Sequence, residues 1–109
     1  MDLGVQLFDV FLINPGTVRG KEMKKTRPYL VISPDEMNRH LQTFIVAPMT
    51  TQMRSYPMRV QCQFKGKKGQ VALDQIRTVD RSRLLQKLGS LSPATGRRVL
   101  EVLADIFAP

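Results

Sequence analysis

The sequence has few of the side chains that bind transition metals or form disulfides. It contains a single cysteine, Cys62, and a single histidine, His40, among 109 residues. One cysteine cannot form an intrachain disulfide, and these two residues cannot make a His–Cys metal cluster or an HExxH site. The scarcity of cysteine is typical of a reducing compartment, so we expect a cytoplasmic protein that uses no metal and no cofactor.

Long apolar runs and glycine-rich phosphate loops are also missing. No apolar run approaches the roughly 20 residues that a membrane-spanning helix needs. The first residues carry no basic flank before their apolar side chains and so do not resemble a secretory signal. Neither a GxGxxG motif nor a P-loop occurs, which argues against nucleotide-dependent chemistry. We therefore expect no membrane association.

Positive charge is what the sequence has in excess. Seventeen Lys and Arg residues stand against nine Asp and Glu residues, for a net charge of +8. This excess is typical of proteins that bind a nucleic acid, an acidic protein or an anionic membrane surface, and we expect one of the first two here. The length predicts one domain, residues 1–109, with a small core that a homodimer would enlarge.

Alternating or continuous apolar patterns between turn residues predict several short strands. These strands are expected at residues 7–13, 28–32, 43–49, 58–64 and 70–73. Residues 43–49 are continuously apolar, so this strand should be buried on both faces, and residues 65–69 should form a hairpin turn. The predicted fold class is β-rich α+β, a small curved antiparallel sheet or SH3-like barrel with a C-terminal helix.

Three helical segments are expected around this sheet. Residues 34–39 can form a short turn with Ser33 as its N-cap, and residues 81–87 can form a short helix. The C-terminal helix should begin with Ser92 as N-cap and Pro93 at its first position. Its apolar face is predicted to comprise Val99, Leu100, Leu103, Ile106 and Phe107.

The basic residues of the segment 17–27 are candidates for phosphate or acidic-peptide contacts, with a solvated surface loop as the alternative. They are Arg19, Lys21, Lys24, Lys25 and Arg27, opposed by Glu22. Arg27 differs from the others because Pro28 follows it and opens a strand, which anchors its side chain to rigid structure.

A metal-independent ribonuclease is compatible with this composition because RNA carries its own nucleophile, the 2′-hydroxyl. An arginine can hold the phosphate oxygens in a bidentate way, and a hydroxyl can add a neutral hydrogen bond. Thr50 and Thr51 follow the strand 43–49 and could do this, although such a pair more often caps a turn. Asp74 is a candidate base, or an ion-pair partner of Arg77 or Arg81.

Four segments together resemble the MazF/PemK family of toxins. Residues 20–22 and 26–33 resemble its GxE…RP-apolar-LV signature, and Asn38 and Arg39 resemble its NR step. Residues 45–51 resemble its VxPxT(S/T) strand and turn, and residues 74–80 resemble its (D/E/N)QxRxxD segment. These motifs occur in the right order across almost the whole chain.

The resemblance implies a symmetric dimer that cuts single-stranded RNA, mRNA included, at chosen sequences and leaves a 2′,3′-cyclic phosphate. It also implies an acidic antitoxin partner. Arg27 and Thr50 fall on the family's catalytic positions, and Asp74 falls on a proposed base. Contacts with RNA are implied for the basic loop with Glu22, and for Thr51, Gln75 and Arg77. Some members carry an arginine where this chain has Ala72, and a histidine where it has Lys21.

Two other functions remain open at this stage. A gyrase-poisoning toxin of the CcdB type would share the fold without being an enzyme. Such chains act through a C-terminal end that includes tryptophan, and this chain has none. A catalytically silent module would bind RNA with a steep salt dependence and leave the strand intact.

Overall fold

The computed structural model describes residues 4–16 and 26–109. Within these residues the chain forms seven β-strands and two α-helices. They are β1 Asp9–Ile13, β2 Arg27–Val31, α1 Asp35–His40, β3 Thr43–Thr50, β4 Arg59–Phe64, β5 Lys67–Ala72, β6 Arg77–Asp80, β7 Leu84–Ser90 and α2 Pro93–Ile106. All five strands predicted from the pattern are present, with shifted ends.

Strand β3 is the centre of an antiparallel sheet with the order β4-β5-β3-β2-β1-β7. One edge of β3 pairs with β2. Its other edge is shared, because β6 pairs with residues 43–46 and β5 pairs with Met49 and Thr50. Since two strands leave the same edge in succession, the sheet curves around β3. The predicted small curved antiparallel sheet with a C-terminal helix is confirmed.

The sheet has an apolar core on each face. In β3, Ala47 faces the core that underlies α2, whereas Phe44 and Val46 face the core on the opposite side. All three are at most 1% exposed, so the predicted burial of this strand on both faces is confirmed. Burying a side chain such as Phe44 stabilises the fold by roughly 1.5–3 kcal/mol. The two cores hold β2 and β3 in a fixed register, on which the site depends.

Helix α2 begins as the sequence predicts, with Pro93 in its first turn and the Ser92 hydroxyl accepting from the backbone N–H of Thr95. The predicted apolar face is partly wrong. Gly96, Val99 and Val102 are buried, whereas Leu100, Ile106 and Phe107 are exposed. The Phe8 ring packs against Gly96, and this contact sets the rotation of the helix. A glycine carries no apolar side chain, so the pattern could not include it.

The predicted helix at residues 81–87 is wrong. Asp80 accepts a hydrogen bond from the backbone N–H of Ser82 and starts one turn of 3-10 helix, Arg81–Arg83. The chain then continues as β7, which pairs with β1. The edge of β1 offers unpaired backbone groups, and pairing with them overrides a weak local helix preference.

Two smaller predictions also need correction. Pro34, not Ser33, occupies the N-cap of α1, because the Ser33 hydroxyl instead donates to the Asn38 side chain and accepts from the backbone N–H of Ile45. The hairpin turn is shorter than predicted. Lys65 and Gly66 alone form it, both with positive φ, so β5 begins at Lys67. Neither helix in the described part of the chain is long and apolar enough to cross a membrane.

Candidate functional site

Arg27 and Thr50 lie side by side at the ends of two neighbouring strands. Arg27 is the first residue of β2 and Thr50 is the last residue of β3. The β2–β3 ladder ends at the pair of Tyr29 and Pro48, and Arg27 and Thr50 each lie two residues beyond this pair on their strands. Both residues line the same two pockets. The structure therefore brings together the two residues that the sequence singled out first.

Two pockets flank this pair. The first, which we call the hairpin pocket, has a volume of about 280 Å3 and is lined by Arg27, Pro28, Met49, Thr50, Thr51, Cys62, Phe64, Lys67, Lys68 and Gly69. The second, the polar pocket, has a volume of about 250 Å3 and is lined by Arg27, Pro48, Thr50, Gln52, Arg59, Ala72 and Gln75. Among the residues that the structure describes, Arg27 and Thr50 alone line both pockets.

The β4–β5 hairpin forms one wall of the hairpin pocket. Its tight turn brings the exposed Lys67 and Lys68 to the rim, and Gly69 lies against Thr50. A Cβ at position 69 would lie 2.7 Å from the Thr50 carbonyl oxygen, so only glycine lets β5 approach this closely. Burial raises the pKa of the Cys62 thiol, so this lining group stays neutral. The pocket thus combines an apolar floor with a cationic rim.

Arg59 occupies the polar pocket from the neighbouring strand. In the β4–β5 register it lies opposite Ala72. Its Nε lies 2.8 Å from Oδ1 of Asp74, and its side chain is only 6% exposed. Its Nη1 donates to Oε1 of Gln70 at 3.2 Å and to the carbonyl of Gln52 at 3.3 Å. A guanidinium therefore stands directly across from the position where the sequence has Ala72.

Arg59 was not identified from the sequence. The alternating pattern places it on the polar face of its strand with Gln61 and Gln63, and no local feature distinguishes it from them. The signal that reveals it is the cross-strand pairing with Ala72, which requires the register of β4 against β5.

Asp74 is an ion-pair partner, but of Arg59 and not of Arg77 or Arg81. The hydrogen bond from Arg59 holds the pKa of the Asp74 carboxyl below its ordinary value. Asp74 is not among the described residues that line either pocket, whereas its neighbour Gln75 lines the polar pocket. Arg77 donates to the carbonyl of Pro15 at 3.2 Å, and the Arg81 guanidinium lies over the Phe44 ring.

The segment that follows Thr50 is fastened to the sheet. The buried Gln70 side chain accepts from the backbone N–H of Arg54 and donates to the Arg54 carbonyl, both at 3.0 Å. The Thr50 hydroxyl accepts from the backbone N–H of Gln52 at 3.0 Å, so it does cap a turn. Accepting this bond leaves the hydroxyl proton available to donate to an anion. Both interpretations of Thr50 are thus compatible.

The other candidate residues divide by position. Thr51 lines the hairpin pocket and is exposed. Arg19, Lys21, Glu22, Lys24 and Lys25 lie outside the described residues. Among residues 4–16 and 26–109, no group of three or more His, Cys, Asp or Glu side chains could hold a metal ion.

Comparison with known proteins identifies the family. Residues 6–107 match the model of the PemK-like, MazF-like toxins of type II toxin–antitoxin systems. The chain belongs to this family. The sequence resemblance is therefore confirmed over nearly the whole chain.

Solved structures agree with this family. An endoribonuclease in complex with its cognate antitoxin, from a mycobacterial species, is 25% identical, with a TM-score of 0.80 over 97% of this chain and 98% of that one. MazF from a MazE–MazF structure of Deinococcus radiodurans is 26% identical, with a TM-score of 0.82 over 96% of each chain. The MazF-like fold thus extends over both strands that carry Arg27 and Thr50.

Proposed function

We propose that this chain is the toxin of a type II toxin–antitoxin pair and acts as a sequence-specific, metal-independent endoribonuclease on single-stranded RNA, mRNA included. The observation that carries the proposal is the pairing of Arg27 with Thr50 between two pockets. Family membership and the likeness to solved endoribonucleases support it. Cleavage of mRNA would inhibit translation, and we therefore propose that the chain acts in the cytoplasm.

In the proposed reaction the RNA supplies the nucleophile. The 2′-oxygen bonds to the adjacent phosphorus as the 2′-hydroxyl loses its proton, and the bond from phosphorus to the 5′-oxygen breaks. The departing 5′-oxygen takes up a proton, so the products are a 2′,3′-cyclic phosphate and a 5′-hydroxyl. No metal is needed if the protein stabilises the negative charge that develops on the phosphate oxygens.

Arg27 is the proposed group for that task. Its planar guanidinium can hold two phosphate oxygens at once and stays charged throughout. Thr50 adds a hydrogen bond from its hydroxyl, and Thr51 is close enough in sequence to add another. Because both strands that carry Arg27 and Thr50 are packed on two cores, the pair is held before the substrate arrives.

Asp74 is the weakest member of the proposed set. A carboxylate with a lowered pKa is a poor proton acceptor near neutrality, and Arg59 donates to both oxygens of Asp74. These contacts support a positioning role, in which Asp74 holds Arg59, better than the role of general base. The pH dependence of the Asp74→Asn variant distinguishes the two roles.

The proposed partners follow from the charge of the site. The rim cations Lys67 and Lys68, the basic segment with Arg19, Lys21, Glu22, Lys24 and Lys25, and Gln75 and Arg77 would contact RNA. An acidic antitoxin segment would compete for the same cations, as suits a net charge of +8. We also propose a homodimer, which would enlarge the surface available to both partners.

Cleavage of a defined single-stranded oligonucleotide in excess EDTA tests the proposal. The purified protein should cut it and leave a cyclic phosphate, detected by mass. A matched oligonucleotide with a single 2′-deoxynucleotide at the cut should stay intact there, because it lacks the nucleophile. Binding without cleavage would indicate a silent RNA-binding module, and cleavage that EDTA abolishes would overturn the metal-independent mechanism.

A further inference from the structure

We propose that the hairpin pocket and the polar pocket are two separate nucleotide subsites, one on each side of the cleaved phosphate. We further propose that base selection next to the cut is concentrated in the polar pocket. The inference rests on the proposed ribonuclease function and adds to it a division of labour between two groups of residues.

The placement of Arg27 and Thr50 leads to this division. They form the wall that the two pockets share in the described part of the chain. A phosphate bound to both side chains therefore has a pocket on either side of it. A single strand that leaves this phosphate in both directions has to send its two flanking nucleosides towards different pockets.

The size of each pocket suits one nucleoside. The volumes of about 280 and 250 Å3 lie at or below the lower end of the roughly 300–1,000 Å3 that is usual for drug-sized ligands. Proteins that read single-stranded RNA commonly splay its bases apart and hold them one by one. Two small pockets that meet at the phosphate-binding pair match this mode of binding.

The hairpin pocket offers contacts that every base can make. Its floor is apolar, from Pro28, Met49 and Phe64, with the neutral thiol of Cys62 beside them. Apolar surfaces bind the faces of all four bases with little discrimination. Lysines at the rim contribute charge to the backbone without reading sequence.

The polar pocket offers contacts that depend on the base. Gln52 and Gln75 each carry an amide with both donors and acceptors, which can match the edge of one base and mismatch another. A site built around such groups rejects the wrong ligand because the unmatched polar groups lose their hydrogen bonds.

The backbone that carries these glutamines is held in place, which limits where their amides can reach. The Gln52 carbonyl accepts from Arg59, and its backbone N–H donates to Thr50. Gln75 follows Asp74, which is paired with the same Arg59. The nearly buried Arg59 thus bonds to the backbone of Gln52 and to the residue before Gln75.

Cleavage of a randomised single-stranded RNA pool, read by sequencing the 5′ ends of the products, tests this inference. For Gln75→Ala and Gln52→Ala we expect the base preference at one of the two positions next to the cut to flatten severalfold. For Phe64→Leu and Lys67→Ala we expect slower cleavage of all sequences alike, with the preference at that position unchanged. Lys67→Ala should also lower the salt slope of binding by about one.

The possible outcomes distinguish a failure of the subsite assignment from a failure of the proposed ribonuclease function. If the wild type cuts and both glutamine variants keep its preference, the subsite assignment is wrong while the ribonuclease stands. If Phe64→Leu and Lys67→Ala change the preference next to the cut, the division of labour is likewise wrong. If the wild type cuts no RNA, the proposed function fails and the inference fails with it. Circular dichroism of each variant ensures that only folded protein is compared.

Discussion

Arg59 and Asp74 form an ion pair, with 2.8 Å between Nε and Oδ1, at the side of the polar pocket. The arginine comes from β4, where it stands opposite Ala72 of β5, and Asp74 lies in the 3-10 turn that follows β5. Arg59 also donates to Gln70 and to the Gln52 carbonyl. The Arg59 guanidinium therefore links the sheet to Asp74 and to the segment that follows Thr50.

Replacing Asp74 by Asn should destabilise the protein by about 1–3 kcal/mol at pH 7, because the nearly buried Arg59 loses its carboxylate partner. The folded pKa of Asp74 is lowered, so its stabilisation is fully present above the unfolded pKa of about 3.9. It is lost as the pH falls through the folded pKa. Urea unfolding from pH 7 to pH 3 should show a constant difference from wild type that begins to shrink below about pH 4.

A difference in stability that stays constant down to pH 3 would contradict the ion-pair account. The same variant separates the two roles of Asp74 in cleavage. As a positioning residue, its loss should lower the rate moderately and leave the shape of the pH–rate profile unchanged. Complete loss of cleavage in a folded variant, with an inflection missing from the profile, would restore Asp74 as the base.

Gln70→Leu should loosen the segment at residues 51–57. The substitution removes both hydrogen bonds to the Arg54 backbone and the acceptor of Arg59, at a cost of about 1–3 kcal/mol. Limited trypsin digestion should cut after Arg54 faster than in wild type. Gln61→Leu is the matched control, since Gln61 lies opposite Gln70 in the ladder but is exposed. Equal digestion rates for both variants would refute the role of Gln70.

Gly69→Ala should damage the site through the backbone. The added Cβ would lie 2.7 Å from the Thr50 carbonyl oxygen, so β5 has to move away from Thr50. We expect a loss of about 1–3 kcal/mol of stability, as for overpacking elsewhere, together with a lower cleavage rate per folded molecule. Gln63→Ala, on an exposed part of the same hairpin, should change neither. Wild-type melting temperature and cleavage in the glycine variant would show that β5 does not need this approach.

The parts of the fold that the sequence predicted are those that local chemistry determines. Strand β3 was predicted from its apolar run. The start of α2 was predicted from the capping residues Ser92 and Pro93. Arg27 and Thr50 were found because each lies at one end of a predicted strand and carries a side chain that can bind phosphate. In contrast, β7 depends on pairing with β1, which is far away in the chain, and the position of Arg59 depends on the register of β4 against β5, which the longer predicted turn did not give. The local alternation of apolar and polar residues does not indicate which strands pair or in which register.

The rotation of α2 also depends on a residue distant in the chain, Phe8, which packs against Gly96. Gly96→Ala within a helix normally stabilises by roughly 0.5–1 kcal/mol. Here the added methyl would collide with the Phe8 ring, so we expect net destabilisation of about 1–3 kcal/mol, measured by thermal unfolding. In a Phe8→Ala background the same change should be neutral or stabilising. Equal destabilisation in both backgrounds would show that Phe8 does not set the rotation of α2.

The central claim is that Arg27, beside Thr50, stabilises the charge on the cleaved phosphate without a metal. The single-turnover cleavage rate of Arg27→Ala in excess EDTA tests it most directly. Loss of one such charge-stabilising donor predicts a fall of about 100-fold or more in a variant that still folds. Arg97→Ala, which removes an exposed positive charge from α2, should cut at nearly the wild-type rate. Cleavage by Arg27→Ala as fast as by Arg97→Ala would contradict the account.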